Sequence, residues 1–201
     1  MAEWLSYSLS DFLLFAPRAY WRLFELHNAA WWPLPLLTFG TGMALLALGT
    51  LRPRQHTRWM AAILGLLWLW VAWGFFWQLY ATINWAAVYV APLFALQAAL
   101  LLVAAWRAPP LARPGSARSL TGLSLVAAAV FLYPVLAPLS GRPWAGAEIF
   151  GMAPDPTVIA TLGCLLLLPG RWQQMLLPIP LLWCVASGVT LWELARVPSG
   201  G

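Results

Sequence analysis

Charged residues almost never interrupt the apolar runs of this chain: between Ala29 and Leu194, long apolar stretches alternate with short breaks that hold nearly every arginine and acid. A hydrocarbon core of about 30 Å needs about 20 apolar residues in a helix. Six candidate spans meet or approach that length, at 29–51, 59–80, 86–106, 120–139, 156–168 and 175–194. With 62% hydrophobic and only 8% charged residues, the chain carries too little polar surface for a water-soluble domain. The expected fold class is all-α: a polytopic membrane protein with six transmembrane helices and an N-terminal amphipathic interfacial segment. Residues 1–28 form that segment, 29–194 the six-helix domain and 195–201 a short tail.

Charge sets the orientation. The chain has no lysine, and its arginines are scattered over short loops, which speaks for a topology signal and against a nucleic-acid groove. Arg52, Arg54 and Arg58, then Arg107, Arg113 and Arg118, then Arg171 fall in alternate breaks, which lie inside by the positive-inside rule. The other side then holds all six acids, Glu3, Asp11, Glu25, Glu148, Asp155 and Glu193, with Arg18, Arg22, Arg142 and Arg196. Both termini are expected outside a bacterial inner membrane.

The first residues contain Glu3 and Asp11 where a signal peptide would have a basic region, so the tail is expected to be retained. Ser8 and Asp11 make a capping signature for a short helix through Phe15, and Pro17 suits the first turn of a second helix. In that second helix Arg18, Arg22 and Glu25 share the polar side, and Tyr20, Trp21, Leu23 and Phe24 supply the apolar one. Such a segment lies in the interface plane, as a collar, a lid or a docking element.

Tryptophan is the compositional outlier, with fifteen copies. Trp31, Trp32, Trp77, Trp85, Trp144 and Trp192 fall at the expected outer boundary and Trp59, Trp106 and Trp172 at the inner one, where indole prefers to sit. Trp68, Trp70 and Trp73 fall near mid-span. Trp70, Trp73 and Trp77 share one helical face, a candidate stripe for lipid or a partner, with plain packing as the alternative.

Cofactor chemistry finds no pattern, and none is expected: Cys164 and Cys184 lie in different spans without CxxC spacing, and His27 and His56 fall on opposite sides. Within the spans the polar residues are few: Thr38 and Thr41, Gln78, Gln97 and Thr161. Gln97 is expected to join two helices by hydrogen bonding, and Gly40, Gly42 and Gly163 to permit close helix approach. A candidate outer polar site comprises Glu25, His27, Glu148, Asp155 and Glu193.

The stretch from Phe150 to Thr157 leads into the fifth span. Asp155 is expected to cap the helix, Pro156 to occupy its first turn, and Gly151 to adopt a conformation closed to other residues. From Pro156 to Leu168 the helix would cover only about 20 Å of a core of about 30 Å. Either Pro169 kinks a continuing helix or a discontinuous helix opens a cavity outward. A faint internal echo links Thr38-Phe39-Gly40 with Thr161-Leu162-Gly163, Arg58-Trp59 with Arg171-Trp172, and Trp77-Gln78-Leu79 with Trp192-Glu193-Leu194.

Asp11 to Phe15 followed by Pro17, then Tyr20, Leu23-Phe24, Asn28 and Trp32-Pro33, and later Phe150-Gly151 through Pro154-x-Pro156-Thr157 with Gly163, resemble a bacterial family of six-helix membrane proteins of unknown function. The resemblance implies a fold and a topology but no activity. It also implies a cysteine between the two prolines, where this chain has Asp155, so no thiol role carries over. With short loops and no catalytic constellation, the expected role is non-enzymatic: an accessory or assembly subunit binding membrane lipid, a membrane-protein partner or a second copy. The alternative is a permease or channel for a small solute with an outward-facing acidic entrance.

Overall fold

A computed structural model describes residues 17–50, 56–107, 116–168 and 170–196. The expected helix from Ser8, the loop arginines Arg52, Arg54 and Arg113, and Pro169 lie outside the described residues. Among the described residues the chain is helical without a strand. It comprises α1 (Pro17–Ala30), α2 (Leu34–Thr50), α3 (His56–Trp70), α4 (Ala87–Arg107), α5 (Ala117–Ala127), α6 (Leu136–Leu139), α7 (Pro154–Leu167), α8 (Arg171–Leu176) and α9 (Pro178–Arg196).

Four helical stretches are long and apolar enough to cross a membrane: His56–Thr82, Ala87–Arg107, Ala117–Leu139 and Arg171–Arg196. The pair α1 and α2, bent by 92°, supplies a fifth only if the two are taken together. Of the six expected spans, four or five are therefore long and apolar enough among the described residues, and α7, with 14 residues, is a shorter apolar helix.

Two spans depart from α-geometry. Beyond Trp70, α3 continues as a π-helical stretch, Val71–Trp77, closed by a Gln78 N–H to Trp73 carbonyl bond of 2.9 Å. The span that starts with α5 widens to π-geometry over Ala128–Leu132 and tightens over Tyr133–Val135. Pro134 explains this: it offers no N–H, and its ring crowds the carbonyl four residues before it. The irregularity lies at Tyr133, which belongs to the candidate site.

Eleven residues of α7 are buried, on every face of the helix, because α3, α5, α8 and α9 surround it. Its closest approach is to α5. A Cβ on Gly163 would stand 2.5 Å from the Gly122 carbonyl oxygen, and one on Gly122 would stand 2.6 Å from that of Gly163. The two backbones touch where any side chain would separate them. Thr161 adds a polar tie to α3 by accepting a 2.8 Å hydrogen bond from the indole N–H of fully buried Trp68.

The C-terminal end of α7 is fixed by Arg118, at the start of α5, which donates to the Leu168 carbonyl at 3.0 Å. Its N-terminal end begins beside Tyr133, about 22 Å along the neighbouring span from Arg118 at 1.5 Å per residue. The chain that leads into it is non-helical over 147–153, yet those residues are buried except for half-buried Ile149. Thr157 closes the polar ledger of that stretch: its hydroxyl accepts from the Gly151 N–H at 2.8 Å and donates to the Ala153 carbonyl at 2.7 Å. Gly151 has φ 78°, and a Cβ there would lie 2.9 Å from Leu67 and 3.0 Å from Thr38. Irregular backbone is tolerated here because the surrounding protein pairs its polar groups.

α1 packs on the turn over Trp144–Gly146. Tyr20, Leu23, Phe24 and His27 are buried at helical spacing, while Arg18, Arg22 and Leu26 face outward. Phe24 stacks on Phe75 with ring centroids 5.3 Å apart, and the Asn28 amide donates to the Ala145 and Ala147 carbonyls at 2.9 and 2.8 Å. Of the expected indole belts, Trp31, Trp32, Trp59, Trp77, Trp85, Trp106, Trp144 and Trp192 are exposed; Trp172 is buried instead. The echoed glycines also differ in role, since Gly40 meets open space where Gly163 meets backbone.

Candidate functional site

Asp155 is not the cap of α7. That position belongs to Ala153, whose side chain makes no capping bond, and Pro154 occupies the first helical position. Asp155 follows in the first turn, where its charge suits the positive end of the helix. Its carboxylate is aimed sideways between α5 and α9 and accepts from the Trp183 indole at 2.7 Å, the Ser187 hydroxyl at 2.8 Å and the Tyr133 hydroxyl at 3.0 Å. Trp183 and Ser187 are four residues apart, on one face of α9. The group is 6% exposed, and among the described residues it forms no ion pair.

Beside it runs a cleft of about 170 Å3, lined by Tyr133, Asp155, Trp183 and Ser187 on its polar side and by Ile159 and Leu191 among the apolar residues. The level of Asp155 on α9, between Trp183 and Ser187, is near the middle of the Arg171–Arg196 span. The sequence placed Asp155 at the outer end of a span; the buried lead-in carries it deeper.

Above lies a second charged group. Glu148 pairs with Arg142 at 3.3 Å, and the Arg142 guanidinium covers the Trp21 ring at 3.7 Å.

The remaining sequence candidates do not join one constellation. Glu25 pairs with Arg22 at the rim and packs near Gly146. Glu193 pairs with Arg196 at 3.7 Å, about 9 Å along α9 beyond Ser187. His27 turns into an aromatic cluster with Trp70 and Phe75 at 6.3 and 5.9 Å, where its Nε2 finds no partner. Gln97 is fully buried and donates to the Leu176 carbonyl at 3.0 Å, tying α4 to α8. The aromatic stripe is divided: Trp31 covers Trp70 at 4.7 Å, while Trp73 and Trp77 are exposed. Cys164 is buried and Cys184 exposed, and neither is bonded to the other. Among the described residues no group of three His, Cys, Asp or Glu converges as a metal would require.

Tyr133, Trp183 and Ser187 escaped the sequence reading. The spacing of Trp183 and Ser187 put them on one face, and Pro134 marked a break beside Tyr133, but nothing local linked either to Asp155.

A family model described as a family of unknown function, DUF6064, matches residues 17–195. No curated protein and no solved structure matches the chain.

Proposed function

Since the chain belongs to the DUF6064 family of unknown function, we propose from its own geometry that it is an integral membrane protein serving as a non-enzymatic accessory subunit that binds another membrane component. One observation carries this reading: Asp155 is buried among apolar helices, forms no ion pair among the described residues, and borders a lateral cleft. Ionisable groups in such places are rare and mark binding or transport sites.

In this reading the chain crosses a bacterial inner membrane six times, the fifth crossing being the buried lead-in followed by α7. The inner breaks hold seven arginines and no acid, against four arginines and six acids outside, which supports external termini. α1 acts as an interfacial collar that holds the lead-in in place through Asn28. A permease for a small cation draws support from the same broken crossing, since discontinuous helices recur at midplane binding sites.

Purification from native membranes in mild detergent tests the reading. The expected result is a particle of fixed stoichiometry heavier than the 22.2 kDa chain, containing a second component. A cytoplasm-only reporter should be silent after Arg196 and active within 109–116. A lone chain that transports cations in liposomes would replace the accessory role with the permease, and reversed reporters would overturn the orientation.

A further inference from the structure

Three neutral donors satisfy the oxygens of Asp155, but none supplies a positive charge. A carboxylate in a dry apolar setting is costly until a cation reaches it. The route to it is lateral: at Cys184 and Gly188 its cleft meets a shallower groove of about 470 Å3, which runs along α9 past Val189 and Trp192 to Arg196.

That face of α9 lacks cover. Only 11% of the most apolar window in Arg171–Arg196 is buried, against 28% or more in the other three long spans. Leu181, Leu182, Val185 and Val189 point outward. Gly188 has no atom within 4 Å of its Cβ position, and Cys184 is one turn before it, so the surface is low where a helix could approach closely.

The depth of the acid selects the occupant. Lipid headgroups belong at the rim with Trp192 and Arg196, about 8 and 14 Å along α9 beyond Ser187. Among the described residues a second copy of this chain brings no cation to that level, because Arg58, Arg107, Arg118, Arg171 and Arg196 stand at the ends of their helices, Arg18 and Arg22 belong to α1, and Arg142 packs on Trp21 of α1. We propose that the α9 groove over Gly188 receives a transmembrane helix of a different chain, bearing one lysine or arginine at the level of Asp155. This rests on the accessory-subunit reading and names the chemistry of the partner. The ammonium or guanidinium would enter the cleft between Trp183 and Tyr133, whose rings add to the attraction of the carboxylate.

The test uses dye-labelled synthetic Leu/Ala transmembrane helices with either Lys or Leu at the centre, titrated against the purified protein in phospholipid bicelles. The Lys peptide is expected to bind about tenfold tighter than the Leu peptide. Asp155→Asn should erase that preference while keeping the wild-type thermal midpoint: its amide oxygen can still accept from Trp183, and its NH2 can donate to the Tyr133 and Ser187 hydroxyls. Gly188→Leu, on the open surface, should weaken both peptides and leave the fold intact, which keeps the test decisive should Asp155→Asn prove unstable. Equal affinity of the two peptides, or Lys binding indifferent to Gly188→Leu, would overturn the proposal. So would Asp155-dependent binding of dodecyltrimethylammonium without binding of the Lys peptide, which would assign the cleft to a small cation. A heavier native particle combined with indifferent peptides removes the α9 site alone; a lone native chain removes the accessory role.

Discussion

Gly163→Val is expected to dismantle the bundle, with destabilisation of about 3 kcal/mol or more and loss of a monodisperse species in detergent. The Cβ would enter backbone, standing 2.5 Å from the Gly122 carbonyl oxygen and 3.0 Å from the Val126 nitrogen. Backbone cannot turn aside as a side-chain tip can, so α5 must move away from α7. Tyr133 continues the α5 span, so the separation also withdraws a donor from Asp155. Gly188→Val is the matched control, since its Cβ meets nothing within 4 Å. Equal thermal midpoints for Gly163→Val and wild type would contradict the packing of α5 on α7.

Trp68→Ala should cost about 3 to 5 kcal/mol, and Trp68→Phe about 1 kcal/mol. Trp68 is fully buried, with its ring 4.3 Å from that of Phe94 and its N–H on Thr161. Lipid is as apolar as the protein interior, so the alanine loss comes mainly from packing and from the cavity left behind. The phenylalanine variant forfeits the hydrogen bond but orphans nothing, because the Thr161 hydroxyl still donates to the Thr157 carbonyl at 2.8 Å. Denaturation in mixed micelles gives the ranking, and a larger loss for Phe than for Ala would refute this account.

The amphipathic face of α1 was legible in the order of Tyr20, Leu23, Phe24 and His27, because the helical period depends on chain geometry alone. The positive φ of Gly151 was legible too, because a glycine leading into a helix lacks the Cβ that closes that region to other residues. The place of Asp155 was not: it was expected to cap α7, but the chain has two prolines in the first turn and the helix starts at the earlier one, leaving Asp155 inside the turn. The outer acids looked like one site because they share a side of the charge pattern. They separate in space because Arg22, Arg142 and Arg196 hold three of them locally and His27 turns inward to Trp70.

Composition and the spacing of charges by themselves determined an all-helical chain with bilayer-length apolar runs, because helical period, span length and arginine placement are properties of consecutive residues. Only the tertiary structure decided that α7 is a short helix behind a buried lead-in, and that Asp155 meets Tyr133, Trp183 and Ser187 near the middle of the last span. Those encounters join residues up to 32 positions apart, and they depend on how closely α5 and α7 approach at Gly122 and Gly163. Contact across that distance is settled by the packing of whole helices, and an apolar sequence leaves that packing open because many pairings bury it equally well.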